Sequence, residues 1–249
     1  MGLNPSKKLK IMKRKYFSKP GKLIVIPGNT PQCVVDTSHA PYKFVGLLEM
    51  TFPDGETFIG TGTLIEDGTD EGNKSFHVLT CAHNLFSKEN KGRAVSVSFT
   101  PGYNGDSLPN RIQASEFHYP KEFEKNEDSM FDYAVVRLAR AADAKGTYFT
   151  YVLSDEELKN VDAQLNGYGF CPPDGEGMSH AIGKITEVEQ DFLLYPITTD
   201  EGASGTAVIK TDGMKIVGVH IEGVREKMLN KAVRITQTVQ ANIQKWLAL

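Results

Sequence analysis

Ser204 stands in the run Gly202-Ala203-Ser204-Gly205, a glycine-flanked turn that leads into an apolar stretch. A serine hydroxyl is a weak nucleophile at its own pKa, so it needs a base, a group that orients the base, and donors for an oxyanion. The glycines serve the last need. Gly202 lets the backbone turn so that its amide and that of Ser204 converge on one point, and Gly205 keeps the floor of the site bare. His83, closing the apolar run Phe76-His77-Val78-Leu79-Thr80-Cys81-Ala82-His83, supplies a base. Asp132 opens Asp132-Tyr133-Ala134-Val135-Val136 and supplies a carboxylate that needs a partner once buried; the imidazole N–H of His83 is that partner. Base, acid and nucleophile in this order point to attack of Ser204 on a carbonyl carbon.

Other residues compete for these roles. His77 shares the strand of His83 and, in a regular strand, its face; the position of His83 at the strand's end favours it, because loops carry function. Glu124, Glu127 and Asp128 lie near Asp132, but only Asp132 directly heads an apolar strand. Cys81-Ala82-His83 offers metal-ligating types, yet no second Cys/His pair stands at ligand spacing, so no metal and no cofactor are expected.

Such groups, far apart in sequence, need a scaffold that returns to one place. Among 249 residues, 40% are hydrophobic and 23 are glycine, which suits many short strands with tight turns and an all-β protein. Strands are expected over 42–52 and 58–65 around an Asp54-Gly55 hairpin turn, then over 94–100, 111–119, 163–170, 182–188 and 192–195. A hairpin over 206–220 turns at Thr211-Asp212-Gly213. Residues 122–128 and 222–230 read as charged, solvated loops. Ser154 marks a helix start within the crossover 140–160, and Val239, Ile243 and Trp246 lie at helical spacing near the end of the chain. No run approaches the ~18 apolar residues of a membrane span.

As a set, Thr80-Cys81-Ala82-His83, the strand from Asp132 and Gly202-Ala203-Ser204-Gly205 resemble the chymotrypsin-fold serine endopeptidases. Val35-Asp36-Thr37-Ser38-His39-Ala40-Pro41-Tyr42 and Ile216-Val217-Gly218-Val219-His220 resemble the bacterial glutamyl endopeptidase branch. The likeness runs from Val35 to Trp246. It implies two antiparallel six-stranded β-barrels with a C-terminal helix: a first barrel over 34–150 with the His and Asp, and a second over 151–249 with the Ser. It also implies a serine endopeptidase acting on protein or peptide substrates, with His83, Asp132 and Ser204 catalytic and the Gly202 and Ser204 amides as oxyanion hole. The competing expectation is a catalytically silent module of the same fold that holds a protein or membrane partner through its cleft and basic tail.

The resemblance further implies a pocket lined by Thr199, His220 and Gly223 that accepts Glu, less surely Asp. A threonine hydroxyl donates one hydrogen bond to a carboxylate and an imidazolium supplies a charge-assisted one. Three acids sit close in sequence. Asp200, Glu201 and Glu222 would repel an acidic substrate residue if they faced the pocket; they could instead pair with His220 and raise its pKa, or select a basic neighbour.

Residues 1–33 form a separate, basic tail. Its first 22 positions carry Lys7, Lys8, Lys10, Lys13, Arg14, Lys15, Lys19 and Lys22 and no acid. It shows no secretory signal pattern, and Met1-Gly2-Leu3-Asn4-Pro5-Ser6 fits the acceptor pattern for myristoylation of Gly2. An acyl chain beside lysines implies an anionic membrane surface as partner of a cytoplasmic protein; an acidic body and no aromatic platform argue against nucleic acid. Three cysteines, Cys33, Cys81 and Cys171, cannot all pair, and this odd, sparse set is expected to be reduced.

Overall fold

In the computed structural model, residues 15–16, 25–66, 74–105, 110–143, 148–171 and 176–249 are described. Gly2 and the first cluster of lysines lie outside them, as do residues 172–175.

The first six long strands are β1 (Val45–Thr51), β2 (Thr57–Leu64), β3 (Lys74–Thr80), β4 (Ser96–Pro101), β5 (Ile112–His118) and β6 (Ala134–Asp143). Hydrogen bonding runs β2-β1-β4-β5-β6-β3, and β3 returns to β2 through Thr63 opposite Leu79, so the sheet closes into a six-stranded barrel. The β1–β2 hairpin forms where expected. Gly55 adopts φ +87, a conformation that costs glycine little, and the Glu56 amide donates to Asp54 Oδ1 at 3.0 Å. Leu48, Met50, Leu64, Val78, Phe99 and Val135 belong to the buried core here.

Six more strands make the second barrel: β7 (Asp162–Cys171), β8 (Gly177–Lys184), β9 (Phe192–Tyr195), β10 (Ala207–Lys210), β11 (Lys215–Val224) and β12 (Leu229–Arg234). Their order is β9-β12-β11-β10-β7-β8. Closure comes from a bend: the chain leaving β8 turns at Ile185 and pairs Glu187–Val188 with β9, so one segment bonds β7 on one side and β9 on the other. Leu165, Ala181, Ile185, Leu193, Tyr195, Val208 and Val217 fill this barrel.

Both barrels are antiparallel, and helix α1 (Gln237–Leu247) follows them, as the sequence led one to expect. The Thr236 hydroxyl accepts from the Val239 amide at α1's start, and Val239, Ile243 and Trp246 form its buried stripe. Asn242 Nδ2 donates to Tyr133 Oη at 2.7 Å, so α1 docks on the first barrel. Ser154 caps a short helix, Asp155–Leu158, through a reciprocal bond with Glu157.

Three expectations change. Residues 122–128 are not simply a solvated loop, because Phe123–Asn126 makes a helical turn that buries Phe123 completely. Residues 222–230 are mostly strand: β11 continues to Val224, a tight turn spans Arg225–Lys227, and β12 starts at Leu229. The cysteines are not all reduced, since Cys33 and Cys171 form a disulfide with their Cα atoms 5.6 Å apart. An odd count excludes complete pairing and says nothing against one bridge. That bridge joins β7 to Gln32–Cys33, a short strand in the stretch read as tail, which pairs antiparallel with β8.

Candidate active site

Chain order brings β3 and β6 side by side, with Thr80 opposite Ala134. The turn Ala82–Asn84 after β3 therefore meets Asp132, two residues before β6. Asp132 accepts from the His83 backbone amide at 2.8 Å through Oδ1, and from His83 Nδ1 at 2.7 Å through Oδ2. An ionised carboxylate only accepts, so Nδ1 carries a proton, and Nε2 is the ring nitrogen turned away from Asp132. His83 is 1% exposed and Asp132 fully buried, so their attraction is little screened by water. His77 stands apart from this pairing, within β3 and opposite Arg137.

Ser204 lies on the turn before β10, across the seam between barrels. Its carbonyl accepts from the Thr61 amide at 2.9 Å and from Asn84 Nδ2 at 3.0 Å. Thr61 Oγ1 donates to the Gly202 carbonyl at 2.7 Å and accepts from the Tyr168 amide at 3.1 Å. A residue of β2 and the neighbour of His83 thus clamp the serine turn from the first barrel. Gly205 is required for this approach: it has φ +89, and a Cβ there would overlap Thr80 Oγ1 and the Thr61 carbonyl. Within the turn, the amides of Ala203 and Thr206 donate to the carbonyls of Asp200 and Ala203 at 2.8 and 3.0 Å. The amides of Gly202 and Ser204 donate to no acceptor among the described residues. Two donors are thereby left for an external oxygen.

His220 sits in β11, tied to the same turn. The Gly205 amide donates to the His220 carbonyl at 2.9 Å and the His220 amide to the Thr206 carbonyl at 2.8 Å. The register of β11 with β12 shifts between His220 and Glu222, a bulge that re-aims the side chains around it. The His220 ring is fully buried and its Nδ1 lies 2.8 Å from Tyr195 Oη. Burial pushes its pKa down to about 3, helped by nearby His83 and opposed by the Lys231 backbone. The expected imidazolium is therefore a neutral ring, and no acid raises its pKa. His220 Nε2 and Thr199 Oγ1 are buried, and neither makes a hydrogen bond of normal geometry among the described residues. Buried polar atoms without partners are costly, and a ligand atom that met both would remove the cost.

Two of the three acids, Glu222 and Asp200, have partners. Glu222 forms an ion pair with Lys231 at 2.7 Å and accepts from Ser129 Oγ at 2.8 Å. Asp200 Oδ1 accepts from the Glu201 amide at 2.8 Å. Gly223 is buried in β11 opposite Asn230. A cavity of about 640 Å³ lies elsewhere, between 35–38 and 140–143.

Reading the sequence missed Thr61 as a clamp, Asn84 and Tyr195. Asn84 had a signal, a polar residue next to His83 and preceding Leu85-Phe86; Tyr195 had none, because its partner lies on a distant strand. Cys81 had been set aside, yet its Sγ lies 3.5 Å from His83 Nε2.

Two closed barrels, an aspartate-braced histidine on one and a glycine-flanked serine turn on the other define a protein of the chymotrypsin fold. The chain belongs to the trypsin-like peptidase domain family, whose description matches residues 60–219. It is 24% identical over 178 residues to the glutamyl endopeptidase of Bacillus licheniformis, a match covering 68% of this chain and 56% of that protein. The chain thus spans little more than half the length of that relative. Among solved structures, a Glu endopeptidase in complex with MPD superposes with TM-score 0.74 at 24% identity, covering 91% of this chain and all of the other. The protease Anisep from Arthrobacter nicotinovorans gives 0.69 at 16% identity, covering 88% and 100%.

Proposed function

We propose that the protein is a serine endopeptidase that cuts peptide bonds after Glu, and less readily after Asp. The observation that carries this reading is the pairing of Asp132 with His83 through both carboxylate oxygens, with the Ser204 turn clamped beside it by Asn84 and Thr61.

On this reading His83 Nε2 takes the proton of Ser204 Oγ as that oxygen bonds to the scissile carbonyl carbon. Asp132 holds the ring and stabilises the imidazolium without itself being protonated. The Gly202 and Ser204 amides donate to the carbonyl oxygen as it becomes negative. The C–N bond then breaks, His83 returns the proton to the leaving amine, and water attacks the acyl-enzyme by the same route to free Ser204.

For the residue before the cut, the support is the pair of buried atoms Thr199 Oγ1 and His220 Nε2, which make no hydrogen bond of normal geometry among the described residues, with the likeness to a relative named glutamyl endopeptidase. Tyr195 Oη lies 2.8 Å from His220 Nδ1; with the tyrosine hydroxyl as donor, the neutral ring carries its proton on Nε2, so imidazole and threonine hydroxyl each donate to one substrate carboxylate. Lys231 neutralises Glu222 close by, which removes one source of repulsion.

The test is digestion of a proteome-derived peptide library by wild type and Ser204→Ala, reading the residue before each cut by mass spectrometry. Ser204-dependent cuts after Glu are expected. Cuts after other residues overturn the pocket assignment, and full activity in the variant overturns the nucleophile.

A further inference from the structure

We propose that Cys81 and His83 form a site for a thiophilic divalent cation such as Zn²⁺, seated between the thiol sulfur and Nε2 of the ring that Asp132 braces. Their separation suits one. A tetrahedral zinc about 2.3 Å from a thiolate sulfur and about 2.0–2.1 Å from an imidazole nitrogen holds the two ligand atoms about 3.5 Å apart. Cys81 Sγ and His83 Nε2 are 3.5 Å apart before any ion enters.

Both ligands are already fixed. Cys81 is extended at φ −92 and ψ 156 and leads into the turn holding His83, which is closed by the Leu85 amide donating to the Ala82 carbonyl at 2.8 Å. The ring is pinned from its far side by Asp132 at 2.7 Å. A carboxylate on the second nitrogen is the usual companion of a metal-ligating histidine, since it fixes the tautomer and makes the coordinating nitrogen more basic. Ligand-type atoms of Cys81, His83 and Asp132 lie within 4.8 Å of one another, and all three residues are buried. In the sequence no second Cys/His pair stood at ligand spacing; the bracing group comes instead from Asp132, 49 residues beyond His83.

Binding is balanced simply. Cys81 releases its thiol proton to solvent as the sulfur–metal bond forms, His83 contributes the Nε2 lone pair, and water fills the remaining positions. Thiolate and imidazole together favour zinc over hard cations such as Mg²⁺. The consequence for catalysis rests on the proposed peptidase reading: the lone pair that would take the Ser204 proton is occupied, so the cation is a reversible inhibitor.

The chain has three cysteines, and Cys33 and Cys171 are bridged, so a thiolate-to-metal absorption band can come only from Cys81. Titration of the full chain with Co²⁺ is expected to raise such a band in the near ultraviolet, and added Zn²⁺ to abolish it. Cys81→Ala should lose the band; Cys81→Ser repeats the test should the alanine variant fail to fold. Zinc affinity, measured by displacement of a fluorescent chelator, should fall about tenfold or more in either variant. No band in wild type, or unchanged zinc affinity in a folded variant, overturns the site. Peptide cleavage, compared with each protein's own chelator-treated rate, separates the two readings. A band without cleavage sinks the peptidase and keeps the cation site; cleavage that zinc leaves untouched sinks the cation site alone.

Discussion

The side-chain amide of Asn84 donates to the carbonyl of Ser204 at 3.0 Å, joining the residue after the proposed base to the backbone of the proposed nucleophile. The same amide reaches Thr80 Oγ1 at 3.0 Å, so Asn84 spans the seam between the barrels from a fully buried position. Asn84→Ala should loosen the register of Ser204 against His83 without touching substrate. We expect kcat to fall about ten- to a hundredfold with KM little changed, and stability to fall by about 1–3 kcal/mol. Steady-state kinetics with a single Glu peptide and urea denaturation check both; unchanged kcat in a folded variant would show that Thr61 alone holds the turn.

Tyr195 Oη lies 2.8 Å from Nδ1 of the buried His220 ring. Burial raises the tyrosine's own pKa well above its ordinary value, so its hydroxyl keeps the proton it donates. Tyr195→Phe removes that donor and frees Nδ1 to take the ring proton, which would turn Nε2 from donor to acceptor. The expected result is a loss of about tenfold in kcat/KM for a Glu peptide, carried mainly by KM, with a smaller loss for a matched Gln peptide. An equal loss for both would mean that the ring does not read the substrate's charge.

How much of this could be read from the chain differs by residue. His83, Asp132 and Ser204 announce themselves locally, because each sits where an apolar run meets a turn, and the barrels follow from strand and turn signals plus resemblance. What sequence hides is the pairing of distant segments. Thr61 carries no local signal, and only β2 lying against the serine turn makes it a clamp. The neutral state of His220 was equally hidden, since it depends on complete burial beside Tyr195 rather than on its neighbours in the chain. Phe123 was lost among five nearby charges, although one aromatic in a polar run is enough to fold a turn onto a core.

Burial of neutral His220 also predicts how stability depends on pH. Above the ordinary histidine value of 6.5 the ring is neutral folded and unfolded, and contributes nothing. As pH falls from there towards about 3, the unfolded chain binds a proton that the folded one refuses, so stability declines throughout that window. The slope from this one group is at most about 1.4 kcal/mol per pH unit. His180, also lowered by burial, acts with the same sign in both proteins and so drops out of a comparison with His220→Gln. Urea midpoints between about pH 7 and about pH 4 should fall less steeply in the variant. Parallel pH dependences would mean that His220 is protonated in the folded protein.

The disulfide bears on the pocket as well as on stability. Cys33 and Cys171 are 138 residues apart, and their bridge fastens Gln32–Cys33 to the end of β7. The chain just before it is held to Thr198: the Ile26 amide donates to Thr198 Oγ1 at 2.8 Å, and the Thr198 amide to Asn29 Oδ1 at 2.9 Å. Thr198 adjoins Thr199, whose hydroxyl meets the substrate carboxylate on the proposed reading. Closing so long a loop is worth about 2–5 kcal/mol in the unfolded-chain account. A Cys33→Ala, Cys171→Ala double variant should lose stability on that scale by urea denaturation. Because the Ser204 turn is clamped separately by Thr61 and Asn84, its reaction with a fluorophosphonate should persist, while KM for a Glu peptide rises more than kcat falls. A parallel loss of probe labelling and of KM in a folded double variant would mean that the bridge supports the whole site rather than its Thr198 edge.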